Sequence, residues 1–371
     1  MRVGIPTEVK NNEFRVAITP AGVAELTRRG HEVLIQAGAG EGSTIADNDF
    51  KAVGAQVVST ADGVWSEADL VLKVKEPMPL EYSRMRRGQT LFTFLHLAAS
   101  RSCTEALLAS GTTSIAYETV QTADGALPLL APMSEVAGRL SAQVGAYHLM
   151  GTHGGRGVLM GGVPGVEPAS VVVIGAGTAG YNATRVAQGM GAAVTVFDVN
   201  IGKLRDVDHA FGGQVQTRYS TALELEEAVK RADLVIGAVL LPGGKAPTLV
   251  SNSLVAHMKP GAVLVDIAID QGGCFEDSRP TTHDDPTFAV YDTVFYCVAN
   301  MPAAVPATST VALTNATMPY VLELAEQGWR AACRSNPALA QGLSTHDGAL
   351  LCQRVATDLA LPYTDPAAML A

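Results

Sequence analysis

Two doubly wound α/β domains, each built on a parallel sheet with helices on both faces, are the fold class this sequence predicts. Three observations carry the prediction. The chain has 371 residues, more than one core of roughly 150 residues uses. A β/α alternation runs twice along it, with a helical pattern and a glycine-rich stretch between the two runs. Gly175-x-Gly177-x-x-Gly180 heads the second run, between a β-favouring stretch and a helical one.

In chain order, the first alternation has strand runs at residues 2–6, 31–36, 56–59, 68–74, 89–95 and 113–118. Helical stretches lie between them at 21–29, with Thr19-Pro20 as a start signal, and at 102–109. Residues 133–150 form a longer amphipathic helix. Pro132 and Ser134 supply its start, and Val136, Leu140, Val144 and Leu149 space out as one apolar stripe. The run GTHGGRGVLMGGVPGVEP that follows is too loose for an element interior, so a domain crossing is expected near residues 131–151. The second alternation has strands at 170–175, 193–198, 213–218, 233–239, 262–268 and 293–298, with helices at 179–189, 222–231 and 253–258. After Pro306 the strand signals stop. A helix at 310–326 leads into a mostly helical tail, expected to pack back on the first domain and make it discontinuous.

Composition narrows the class of function. Apolar residues make up 47% and charged residues 17%, a globular balance. The formal net charge of −10 disfavours non-specific contact with nucleic acid or an anionic membrane, and no run approaches the ~18 apolar residues of a membrane span. Cys103, Cys274, Cys297, Cys333 and Cys352 are odd in number and widely spaced, without C-x-x-C, so neither a zinc site nor a disulfide framework is expected. Reduced thiols in a cytoplasmic protein is the plain reading.

The stretch SVVVIGAGTAGYNATRVAQGMGAAVTVFD is the most informative. Gly175 makes the turn, Gly177 admits a pyrophosphate, and Gly180 lets helix meet strand. The unpaired N–H groups at the helix start then favour anions. Asp198 closes the second strand at about the required 20-residue distance, where a carboxylate accepts from the adenine-ribose hydroxyls. A 2′-phosphate there would meet a like charge, which points to NAD over NADP despite nearby Lys203 and Arg205.

Open α/β sheets bind ligands beyond the carboxyl ends of their strands, and that rule ranks the charged residues. Lys75 closes the run ADLVLKVK and His96 closes QTLFTFLH, so both belong to one rim and can donate to a substrate carbonyl or carboxylate. A lone rim lysine is more often solvated; their joint placement argues for function. Arg15, in the loop after the first strand, is a candidate carboxylate clamp. In VLVDIAIDQGG, Asp266 lies inside the apolar run and reads as structural. Asp270 lies beyond it and suits a general base or a water-orienting group. Glu323 and Gln327 share a helix face but read as solvated surface, and no metal site is expected.

These segments together resemble the family that unites alanine dehydrogenase with the NAD-binding subunit of transhydrogenase. The resemblance spans nearly the whole chain. It is carried by MRVGIPTEVKNNEFRVAITPAGV, LVLKVKEP, TFLHLA, PMSEVAGRL, GGVPGVEPASVVVIGAGTAGYNA, LVDIAIDQGGCFE, TTH and VANMPAAVPATST. It implies a substrate domain from residues 1–130 plus 307–371, a Rossmann-like NAD domain from 131–306, and a cleft between them. Matched motif by motif, Arg15 and Lys75 would bind substrate, His96 would be the acid/base, and Asp270 its partner. For NAD the matching positions are Ser134, Gly175, Gly177, Thr178, Ala179, Gly180, Asp198, Lys203, Ser220, Val239 and Leu240. To these it adds Ile267, Ala268, Ile269, Asp270, Arg279, Val298, Ala299, Asn300 and Met301. It also implies a homo-oligomer, commonly a hexamer.

The expected reaction is reversible NAD-dependent oxidative deamination of L-alanine to pyruvate and ammonium. Two alternatives stand beside it: a transhydrogenase subunit that passes hydride to a second dinucleotide-bound domain, and a catalytically silent NAD-binding sensor. Against the transhydrogenase subunit, PMSEVAGRLSAQ reads as the dehydrogenase form, and the alanine-type motifs make a dehydrogenase for another amino acid a poorer fit.

Overall fold

The computed structural model describes residues 1–239 and 246–370. They divide into two compact units, Met1–Met133 with Val305–Ala371, and Ser134–Ala304. The strands in chain order are β1 (Arg2–Ile5), β2 (Glu32–Gln36), β3 (Gln56–Val58), β4 (Leu70–Leu72), β5 (Thr90–Thr93), β6 (Thr113–Ala116), β7 (Ser170–Ile174) and β8 (Ala193–Asp198). They continue with β9 (Gln216–Tyr219), β10 (Leu234–Gly237), β11 (Val263–Asp266), β12 (Thr287–Val290), β13 (Thr293–Tyr296), β14 (Leu343–His346) and β15 (Ala349–Leu350).

In the first unit the sheet runs β15-β14-β6-β5-β4-β1-β2-β3. The six strands β1 to β6 are parallel, and all but edge strand β3 are largely buried, as continuous apolar runs such as VLI and LVL require. The order in which strands are added switches side between β1 and β4, the crevice position where such sheets bind ligands. Helices α1 (Pro20–Arg28), α2 (Asp47–Ala52), α3 (Ala61–Glu67) and α4 (Arg101–Ser110) connect them. Thr19 caps α1 by accepting the Gly22 N–H at 3.4 Å, with Pro20 in the first turn. The short α2 and α3 escape periodicity because six or seven residues hold under two turns. Trp65, Leu91, Cys103 and Leu107 anchor a core cluster on this sheet.

The tail departs from the mostly helical expectation. After α10 (Pro306–Ser335), which breaks at Gly328 with φ +74°, and α11 (Pro337–Gln341), β14 adds antiparallel to β6 and β15 antiparallel to β14. Each is short, four and two residues, so its pattern carries little period-2 signal. The sheet is therefore mixed. Helices α12 (Gln353–Leu359) and α13 (Ala367–Leu370) close the chain's described part.

The second unit repeats the layout as β12-β13-β11-β10-β7-β8-β9. Six strands are parallel, and β12, unforeseen from the sequence, pairs antiparallel with β13 at the edge. The order of addition switches side between β7 and β10. Its helices are α5 (Ala131–His148), whose first turn belongs to the other unit, α6 (Thr178–Gly189), α7 (Ile201–Phe211), α8 (Ala222–Arg231) and α9 (Asn252–Val255). Asn200 caps α7, a helix absent from the sequence reading, by accepting N–H bonds from Gly202 and Lys203 at 2.8 and 3.3 Å. No helix among the described residues is long and apolar enough to cross a membrane.

Candidate functional site

In the first unit three adjacent parallel strands present the candidate substrate residues at their carboxyl ends: Arg15 after β1, Lys75 after β4 and His96 after β5. Lys75 and His96 stand three residues past their strands rather than closing them, although backbone pairing runs on through Lys73 N–H to the Phe92 carbonyl and Phe94 N–H to the Val74 carbonyl. Arg15 is buried, 2% exposed. Its Nε and Nη2 donate to the two Glu13 carboxylate oxygens at 2.7 and 2.5 Å, and its Nη1 lies 2.9 Å from Met133 Sδ. That fork fixes the guanidinium plane and balances its charge.

Lys75 is also buried, at 6% exposure. Its Nζ lies 5.9 Å from the centre of the Phe94 ring. The His96 imidazole stacks on that same ring, centroids 5.8 Å apart and planes within 10°. His96 is half-buried, and its backbone sits at φ +48°, ψ +41°, left-handed for a residue with a side chain. Glu118 over-determines that conformation by accepting the His96 N–H at 2.6 Å and the Leu95 N–H at 3.2 Å. Glu13, Glu118 and Phe94 were not singled out in the sequence. Only Glu13 carried a local signal, lying two residues from Arg15.

The second unit places the glycine turn between β7 and α6. Gly175 has φ +104°, and a Cβ there would stand 2.7 Å from the Ala238 carbonyl oxygen. A Cβ on Gly180 would collide with the Gly175 carbonyl, so helix meets strand only through glycine. Gly177 caps α6 in extended conformation and faces open space, with Lys203 Nζ 4.0 Å from where its Cβ would be. Thr178 and Ala179 begin α6. Gly138 of α5 packs so close to Ala179 that a Cβ would overlap its carbonyl. Half-buried Ser134 lies one turn earlier on the same face of α5.

Around this turn the strand ends converge in order. Asp198 accepts the Ala176 N–H at 2.7 Å and the Asn200 N–H at 2.8 Å, and its carbonyl accepts the Ser220 N–H at 3.1 Å. Val239 follows β10, beside Gly175; Leu240 lies outside the described residues. After β11, Ile267, Ala268, Ile269 and Asp270 lie in the 3₁₀ segment Ile267–Gln271, in which Asp270 is exposed. Asp266 holds this turn: its buried carboxylate accepts from the N–H groups of Ala268 (3.0 Å) and Cys274 (2.9 Å) and the Ser278 hydroxyl (2.5 Å). Burial still pushes its carboxyl above the usual range. After β13 come Val298, Ala299, Asn300 at φ +71°, whose carbonyl lies 3.2 Å from His283 Nε2, and Met301. The Arg279 guanidinium lies 4.1 Å over the Phe288 ring of edge strand β12, and its backbone bonds to Cys297, just past β13. Burial drives the Cys297 thiol up to about 12, as it does Cys103, so neither is a ready nucleophile. Among the described residues no group of three or more His, Cys, Asp or Glu side chains could hold a metal ion.

Comparison with known proteins follows the same outline. Residues 4–137 match the model of the alanine dehydrogenase/PNT N-terminal domain, and residues 141–353 that of the alanine dehydrogenase/PNT C-terminal domain. The chain is 82% identical over 371 residues, all of both chains, to an alanine dehydrogenase of Mycobacterium tuberculosis. It is 53% identical to one of Geobacillus stearothermophilus, over 98% of each chain. A solved L-alanine dehydrogenase superposes with TM-score 0.93 at 50% identity, covering 97% of this chain and 99% of that one. A transhydrogenase of Sinorhizobium meliloti superposes with TM-score 0.80 at 26% identity, covering 95% and 99%.

Proposed function

The chain belongs to the alanine dehydrogenase/PNT family, and from that premise we propose its activity, its cofactor and the work of each site residue. It is an oxidoreductase that interconverts L-alanine with pyruvate and ammonium. The observation that carries this is 82% identity over the whole of both chains, at a structure that superposes on an L-alanine dehydrogenase with TM-score 0.93.

The residues of the second unit fit a dinucleotide. The turn is closed by Gly175 and Gly180 yet open at Gly177, its N–H groups head α6, and Asp198 stands beside it with carboxylate lone pairs to spare. That carboxylate accepts from ribose hydroxyls and repels a 2′-phosphate, which favours NAD over NADP. Bound there, the nicotinamide supplies an acceptor for hydride from the alanine α-carbon.

In the first unit, Arg15 and Lys75 bind the carboxylate and the carbonyl oxygen of the keto acid, each charge-assisted bond contributing ~1.5–3 kcal/mol. Glu13 holds the Arg15 plane for this. Hydride loss leaves the substrate as an imine. His96 takes a proton from the water that adds to the imine carbon and returns one to the departing ammonia. Asp270 orients that water and offsets the imidazolium charge. Over the cycle, alanine, NAD⁺ and water give pyruvate, ammonium, NADH and a proton.

Initial rates of NADH oxidation with pyruvate test this reading, with and without ammonium and then with NADPH. Consumption of NADH that depends on ammonium, and little with NADPH, is the expected result. Protein that binds NADH without ammonium-dependent turnover would overturn it in favour of hydride transfer between dinucleotides or of a sensor. The reading extends to a cytoplasmic homo-oligomer, a hexamer, whose mass light scattering would measure. Its partners are small molecules, and the net charge of −10 suits neither nucleic acid nor membrane.

A further inference from the structure

Glu8, three residues past β1, is a buried acid that the reaction above does not use; its side chain is 3% exposed. One of its oxygens accepts the Val74 N–H at 2.6 Å. The other accepts from Lys73 Nζ at 3.0 Å and, more weakly, from the Lys75 N–H at 3.4 Å. Lys73 is itself fully buried and is held from its far side by Glu81 at 3.0 Å. Past the end of β4 the Lys73 N–H still donates to the Phe92 carbonyl at 3.2 Å, whereas the N–H groups of Val74 and Lys75 turn to Glu8. On the opposite edge, the Thr93 hydroxyl donates to the Lys75 carbonyl at 3.0 Å. Lys75 is thus gripped through its backbone from two neighbouring strand ends, and its ammonium is directed over Phe94 toward the ring that His96 covers.

We propose that Glu8 is a positioning residue for substrate capture, setting the backbone of Lys75 so that its ammonium meets the keto-acid oxygen. The inference rests on Lys75 being a substrate-binding group. A carboxylate suits the task because one group takes two backbone N–H donors and a lysine together, which no neutral side chain matches. Neutralising Lys73 alone would need only Glu81; the contacts to Val74 and Lys75 are what tie Glu8 to the site.

The test is a double-mutant cycle of Glu8→Gln and Lys75→Gln in the full-length enzyme, read as KM for pyruvate, kcat, KM for NADH and thermal unfolding. Glu8→Gln is expected to raise KM for pyruvate at least tenfold, with kcat within about threefold and KM for NADH unchanged. On the Lys75→Gln background the same change is expected to add almost nothing. A wild-type KM for pyruvate in folded Glu8→Gln overturns the proposal, and so does an effect that multiplies undiminished on Lys75→Gln. A wild-type KM in Lys75→Gln instead defeats the substrate role of Lys75, a separate failure. Should Glu8→Gln not fold, Glu8→Asp keeps the charge beside Lys73 but withdraws the carboxylate from the two N–H groups. It too must raise KM for pyruvate, and a wild-type value there overturns the proposal.

Discussion

The Asp198 carboxylate accepts the backbone N–H of Ala176 at 2.7 Å, so the end of β8 and the middle of the glycine turn act as one piece. The acid proposed to select the ribose thus also shapes the glycine turn. Asp198→Ala is therefore expected to loosen the turn and remove the repulsion of a 2′-phosphate together. KM for NADH should rise about tenfold, equivalent to ~1.4 kcal/mol, while the preference for NADH over NADPH narrows. Asp198→Asn keeps an acceptor and should narrow the preference with a smaller rise. An unchanged ratio in both variants takes Asp198 out of this role.

Two glycines of one motif make opposite predictions. Gly177 has φ −73° and open space where a Cβ would go, so Gly177→Ala should unfold at the wild-type temperature while NADH binding weakens. A Cβ on Gly180 overlaps the Gly175 carbonyl, and Gly180→Ala should lose about 1–3 kcal/mol of stability. Thermal unfolding with NADH titration separates the two. A Gly180→Ala protein as stable as wild type would contradict the contact.

His96→Ala and Asp270→Ala should each lower kcat by roughly 10²–10⁴, the usual worth of a positioned acid or base, with NADH affinity retained. Single-turnover rates beside NADH fluorescence titrations measure both. Turnover near wild type in either variant removes that residue from the chemistry.

His148 predicts an acid-side loss of stability. Its side chain is buried against Tyr147, His153 and Tyr296, and its Nδ1 has no hydrogen-bond partner among the described residues. Burial, helped by the neighbouring His153, holds its pKa below the ordinary 6.5. As pH falls below 6.5 the unfolded chain takes up a proton here before the native state does. Stability present above that pH is therefore lost as pH drops through the folded value. His148→Phe should match or exceed wild type at pH 7, and its advantage should widen toward pH 5.5 in denaturant titrations. A pH-independent gap between the two would refute the assignment.

Much of the fold was legible because parallel strands buried on both faces leave continuous apolar runs, as in SVVVI and LVL. The glycine turn was legible for the same local reason: Gly175, Gly177 and Gly180 answer to constraints within a few residues of each other. Strand ends also located Lys75, His96 and Asp270 on their rims. The short α2 and α3, edge strand β12 and the pair β14–β15 were not legible, since too few residues repeat to set a period. Arg279 was grouped with the cofactor positions by motif alone, and its guanidinium lies over Phe288.

The sequence by itself determined which segments become strands, where the turns fall and which charged residues end up at carboxyl rims, because those follow from short-range periodicity and backbone constraint. Only the tertiary structure decided what holds each charge. Glu118 stands 22 residues from His96 and Glu8 stands 67 from Lys75. Phe94 alternates with its neighbours like any core residue until folding lays Lys75 and His96 against it. A carboxylate's partner is chosen by which loops the strand order 3-2-1-4-5-6 brings side by side, and that neighbourhood has no counterpart in linear spacing.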